Sequence, residues 1–390
     1  MNYNFDTIID RKALGALKWK NMPEGTIAMS VADMDFALAP EIIAAVTERV
    51  SLGESGYVGM SEDDFGAVIN WCKLRNGVEI PREHLIATPG VLYAARTALY
   101  SLTEPGDKVI VQPPLHTPSI TSASMLGRIP LLNKLIYENG TYKIDFDHLE
   151  ACFKDGAKVL MMCVPNNPTG RVWTKEELLC VAELVNRYNA YLITDEIHRD
   201  IIWGGNHHIS PSVLPELADR TVALFSTSKS FNMGAFHIGS AIIPNEEIRD
   251  KVVKRFYAHG HVCNRPALMC IAAQTAAYKY GNDWFTQMMN YVEGNFKLAN
   301  EYLSDLPIHP NSPEGTFLMW ADITELKFDA ATLKDVMRNK WRVVCDPGSY
   351  YDSADYESYT GLEHHARLNL ATPRPQLEEA LSRIRRYFKQ

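Results

Sequence analysis

Between Pro81 and Pro244 short apolar runs alternate with amphipathic stretches, and no other feature constrains the fold of this chain as strongly. The runs at 108–112, 158–164, 191–194 and 221–225 are each short enough for a strand and apolar enough to be buried on both faces. Helical segments separate them, so the spacing predicts βαβ units and a mostly parallel sheet. Thr174-Lys175-Glu176-Glu177 reads as a capping box, and Leu178, Val181, Leu184 and Val185 follow on one helical face. Later in the chain come a helical pattern over 290–306, strands over 316–320 and 367–370, and a last helix with Leu377, Ala380, Leu381, Ile384 and Phe388 on one face. These patterns predict an α/β chain. A large domain has a mostly parallel central sheet between helices, and a smaller α+β domain is built from both chain ends, divided at 1–48, 49–285 and 286–390.

With 390 residues, 46% hydrophobic and 22% charged, the chain can bury a large core. Its formal charge of −8 makes the surface acidic, so neither nucleic acid nor an anionic membrane is expected as a partner. Seven cysteines, odd in number and without a C-x-x-C pair, fit reduced thiols better than a disulfide framework or a zinc site. The first six residues lack the apolar run of a secretory signal, and no stretch approaches the ~18–20 apolar residues of a membrane span. A cytoplasmic protein is expected. The pairs His207-His208, His259-Gly260-His261 and His364-His365 do not place two imidazoles on one metal without outside help, so no metal is expected.

The sequence has no G-x-G-x-x-G after a strand, no G-x-x-x-x-G-K-[ST], no G-x-S-x-G and no H-E-x-x-H. Instead three polar clusters sit where predicted strands run out, which is where an open parallel sheet binds ligands. They are Pro165-Asn166-Asn167-Pro168-Thr169-Gly170, Asp195-Glu196-Ile197-His198 and Ser226-Thr227-Ser228-Lys229. Singly they read as a turn, an exposed acidic bend and a solvated lysine. Jointly they put an amide, a carboxylate and an amine at intervals of about one βαβ unit, and so at one end of a sheet. Pyridoxal phosphate needs such a trio: an amine for a Schiff base, a carboxylate for the pyridine nitrogen, and a donor for the ring hydroxylate. A helix starting at Gly90, with Val91 and Leu92 in its first turn, would offer free N–H groups to the phosphate, and Ser226 and Ser228 could add hydroxyls.

The order Gly90-Val91, Asn167-Pro168-x-Gly170, Asp195-Glu196, Ser-x-Ser-Lys229 and a late Arg367 resembles fold-type I pyridoxal-phosphate enzymes of the class I/II aminotransferase superfamily, over essentially the whole chain. Within that superfamily, Ala32-Asp33-Met34-Asp35-Phe36, Gly56-Tyr57 and Asp195-Glu196-Ile197-His198-x-Asp200 resemble the cystathionine β-lyase or cysteine–sulfur lyase branch. The resemblance implies that the large domain binds pyridoxal 5′-phosphate through Lys229, Asp195 and Asn167. His198 stands where ordinary aminotransferases carry a Tyr. Arg367 would grip the α-carboxylate of an amino-acid substrate, with Ala32 and Asp33 beside it. Tyr57 would reach into the site of a second subunit, making a homodimer with shared active sites. Four positions depart from the pattern: His116 replaces a Tyr stacked on the cofactor, Val164 an Asn ahead of Asn167, Ser30 a Trp, and His237 a phosphate-binding Arg. The activity implied is β-elimination from S-substituted cysteines to a thiol, pyruvate and ammonia. Transamination is the alternative, and a weakly catalytic regulator binding a partner protein is a third reading.

Overall fold

The computed structural model describes residues 1–258, 265–351 and 362–389. Seven strands form the central sheet: β1 (Leu85–Thr88), β2 (Lys108–Val111), β3 (Ile129–Leu132), β4 (Ala157–Cys163), β5 (Tyr191–Asp195), β6 (Thr221–Phe225) and β7 (Gly239–Ile242), in the spatial order β1-β7-β6-β5-β4-β2-β3. Five run parallel from β3 to β6, and β7 is antiparallel to both of its neighbours. Alternate residues of β4 feed two different cores: Val159, Met161 and Cys163 pack on one face, Leu160 and Met162 on the other. That is why these strands are near-continuous in apolar residues. The capping box is formed as expected, with Thr174 and Glu177 exchanging bonds at the start of helix Lys175–Arg187.

A four-stranded antiparallel sheet, His309–Pro310, Leu318–Asp322, His365–Asn369 and Asp346–Pro347, lies in the C-terminal part. The N-terminal segment packs against this part: Ile27–Ala28 and Val343–Val344 form a separate two-stranded parallel sheet, and Phe5, Met29 and Phe36 share a core with Leu318 and Leu368. The long helix begins at Asn282, earlier than its apolar pattern suggests, and ends at Leu303. The strand expected at 316–320 starts instead at Leu318, because Thr316 has φ 68° and its hydroxyl accepts from the Leu318 N–H, a turn rather than a strand. The last strand, His365–Asn369, by contrast begins two residues before its expected start. The expected domain boundaries at 48 and 285 fall inside helices Pro40–Ser51 and Asn282–Leu303. No helix among the described residues is long and apolar enough to cross a membrane.

Candidate active site

Parallel register sets Cys163 opposite Asp195, and Asp195 opposite Leu224, so the segments following β4, β5 and β6 leave one edge of the sheet side by side. A cavity of about 330 Å³ opens above them. It brings together Ala32, Val91, Leu92, His116, Asn167, Asp195, His198, Lys229 and Arg367. Gly90 caps the helix Val91–Leu102 with φ 134°, a conformation that favours glycine. Its neighbour across the sheet is also constrained, since a Cβ on Gly239 would lie 2.9 Å from Thr88 Oγ1 and 3.3 Å from the Gly90 carbonyl carbon.

Lys229 Nζ donates to the Ala32 carbonyl at 2.5 Å. Burial lowers the lysine pKa against the pull of Asp33, with Arg367 adding to the lowering, so more of the free amine is present near neutral pH than on an exposed lysine. Asp195 ends β5, and its carboxylate accepts from the Ile197 N–H at 3.0 Å. Burial pushes its pKa up to about 6 despite that bond and the nearby Lys229. His198 is fully buried with both ring nitrogens unpartnered, its ring edge-on to Phe317. Burial, then Lys229, Arg367 and His116, hold it well below the usual histidine range. His116, just ahead of helix Thr117–Met125, is pushed down to about 4 by burial and the same two cations. Both imidazoles are therefore neutral at pH 7.

Arg367 Nη1 donates to Asn167 Oδ1 at 2.7 Å, and Nη2 pairs with Asp346. Its guanidinium carbon lies 5.1 Å from the centre of the Tyr351 ring, and its buried Nε has no partner. Asp346 and Tyr351 also line the cavity. Neither belongs to a motif; the antiparallel register faces Asp346 with Arg367, and Tyr351 lies beside its guanidinium. One signal was present in the sequence, since an arginine in a strand buried on both faces calls for a carboxylate partner.

Other expected residues lie elsewhere. Ser226 donates to the Ile238 carbonyl and accepts from the Ser228 N–H, so its side chain caps the short helix Thr227–Ser230; neither serine lines the cavity. His237 is exposed and does not line the cavity. Asp33 turns toward Arg11, 2.5 Å away, and acts on Lys229 only through its charge. Tyr57 is 97% exposed and borders a separate cleft with Arg265 and Leu268.

The groups left in the cavity fit pyridoxal phosphate. A half-buried carboxylate with one backbone partner suits a protonated ring nitrogen, two unpartnered imidazole nitrogens in the same cavity as an amide suit a ring oxygen, and a lysine of lowered pKa suits an aldehyde. Fold and cavity together define a pyridoxal-phosphate-dependent enzyme of fold type I. The chain belongs to the aminotransferase class I and II family, whose model matches residues 26–384. It is 32% identical to cystathionine beta-lyase PatB of Bacillus subtilis over 98% of this chain and 99% of that protein. The crystal structure of cystalysin from Treponema denticola, which contains pyridoxal 5′-phosphate, has a TM-score of 0.93 at 31% identity, covering 100% of this chain and 99% of that one. The PLP-bound C-S lyase from Staphylococcus hominis has a TM-score of 0.89 at 28% identity, with coverage of 100% and 99%. Pyridoxal 5′-phosphate is the cofactor of this enzyme.

Proposed function

We propose that the enzyme is a carbon–sulfur β-lyase that converts S-substituted cysteines to a thiol, pyruvate and ammonia. What carries the reading is the likeness, over nearly the full chain, to proteins named cystathionine beta-lyase and C-S lyase, together with a cavity holding a lysine, a carboxylate and an arginine. When bound, pyridoxal phosphate supplies an aldehyde that takes up the substrate amine and a ring that accepts electron density from Cα. Lys229 would attach the cofactor and then, as a free amine of lowered pKa, remove the α-proton. Asp195 would hold a proton on the ring nitrogen, and Asn167 and His198 would face the ring oxygen. His116 would lie against the ring as a neutral imidazole. Arg367 would grip the α-carboxylate, and Val91 and Leu92, in the first turn after Gly90, would face the phosphate with their N–H groups. Expulsion of a thiolate from Cβ then needs no second substrate.

Transamination is the second reading, favoured by the family's own name and by the likeness to a PLP-bound putative aminotransferase of Clostridium difficile with a TM-score of 0.93. Product analysis separates the two. Given L-cystathionine alone, the lyase releases pyruvate and ammonia over many turnovers. If no pyruvate forms while an added 2-keto acid becomes its amino acid, transamination is the activity.

The same proposal includes a homodimer and a cytoplasmic location, the latter supported by six free cysteines among the described residues, five of them buried. It also retains a division into a cofactor domain and a smaller domain, supported by the pairing of Ile27–Ala28 with Val343–Val344. The exposed Tyr57, outside its own subunit's cavity, would enter that of the second copy. Mixed dimers of inactive Lys229→Ala and inactive Tyr57→Phe subunits are expected to regain part of the activity, because one hybrid site receives both wild-type residues. Activity that stays absent after verified subunit exchange would place Tyr57 outside the partner's site.

A further inference from the structure

Asp346 uses one carboxylate oxygen for two tasks. Its Oδ2 accepts from Arg367 Nη2 and, at 2.9 Å, from the Val31 N–H. Both side chains of the Arg367–Asp346 pair are under a tenth exposed, and the backbone fixes their relation, because Asp346 stands opposite Arg367 across two antiparallel strands. With Nη1 on Asn167 and the guanidinium beside the Tyr351 ring, Arg367 has little freedom left to lose. An arginine immobilised beforehand avoids the rotamer entropy that a loose one loses on taking hold of a carboxylate.

The second task concerns strain. Val31 has φ 58°, a left-handed conformation that is an outlier for a β-branched residue. Surrounding bonds must hold it there. Asp346 takes its N–H, and Asn369 Nδ2 donates to its carbonyl at 2.9 Å. The next residue is Ala32, whose carbonyl accepts from Lys229 Nζ. One oxygen thus ties the arginine to the turn that meets the lysine.

We propose that Asp346 is a positioning residue, which presets Arg367 for the substrate carboxylate and holds the Val31–Ala32 turn against Lys229. This rests on the reading of Arg367 as the carboxylate anchor.

The test compares Asp346→Asn with wild-type holoenzyme. The amide keeps an acceptor for Val31 but removes the negative charge that faces the Arg367 guanidinium, so the ion pair that holds Arg367 in place is lost. KM for L-cystathionine is expected to rise about tenfold, with kcat within about threefold of wild type. The Kd of 3-(methylthio)propionate, which has the carboxylate and thioether but no amine to react, is expected to rise by the same factor in calorimetry. Asp346→Ala, which also releases Val31, is expected to lower kcat as well. If Asp346→Asn does not fold, Asp346→Ser takes the same measurements. Unchanged KM and Kd, tighter binding, or a kcat loss without a KM change would each overturn the proposal. Arg367→Lys is measured in parallel. If it leaves KM unchanged, the anchor reading itself fails, whereas a raised KM there with an unaffected Asp346→Asn rejects only the role of Asp346.

Discussion

Lys229→Ala protein loaded with cofactor is expected to turn over L-cystathionine at least about 10⁴-fold more slowly than wild type. One side chain supplies both the covalent attachment and the base, and general-base catalysis alone contributes about 10²–10⁴-fold. Burial already disfavours the lysine ammonium, so removing the side chain takes away a group that the fold holds at a cost. Secondary structure and apoenzyme stability should therefore survive while kcat collapses. In wild-type enzyme, borohydride reduction followed by peptide mapping should place the label on Lys229. A label on another lysine, or a Lys229→Ala variant with substantial kcat, rejects the assignment.

Asp195→Asn separates stability from activity. In the apoenzyme, burial raises the Asp195 pKa from 3.8 to about 6, so between those values the folded state binds more protons than the unfolded one. Stability then falls as pH rises through that window, and the cost of burying the carboxylate is fully present above about pH 6 and absent below about pH 4. A shift of that size corresponds to about 3 kcal/mol at most, and solvent reaching the cavity reduces it to roughly 1–2 kcal/mol. Asparagine carries no charge to bury. Apo Asp195→Asn is expected to be more stable than apo wild type at pH 8, with the difference shrinking toward pH 4.5, as read by denaturant unfolding at each pH. The loaded variant should lose about 10²–10³-fold in kcat, because a neutral amide cannot hold a proton on the ring nitrogen by charge. A variant less stable than wild type at pH 8 would show that the carboxylate is not a buried burden in the apoenzyme.

The parallel sheet, the capped helix after Thr174 and the trio Asn167, Asp195 and Lys229 were legible in the sequence because each is set locally. Strand burial writes itself as an unbroken apolar run, a cap as four consecutive residues, and a sheet-edge ligand group as a polar cluster directly after a strand. His116, His198 and Arg367 were found through family resemblance, and the cavity does bring them together. Whether a loop residue faces the cavity or serves the chain is a different question. Ser226 and Ser228 share a motif with Lys229, yet their hydrogen bond closes a helix cap, and Asp33 sits beside Ala32 yet turns to Arg11. Neighbours in sequence point in different directions once the backbone turns. Asp346 had no sequence signal of its own beyond the need of a buried arginine for a counter-charge. Its place was decided by the strand register that faces it with Arg367 and by the strained Val31 it holds, and both are contacts between residues far apart along the chain. The sequence by itself thus determined the class of chemistry, through local patterns that tertiary structure only had to assemble. Which groups line the cavity was decided by long-range packing, because the direction of a side chain depends on contacts that no local pattern encodes.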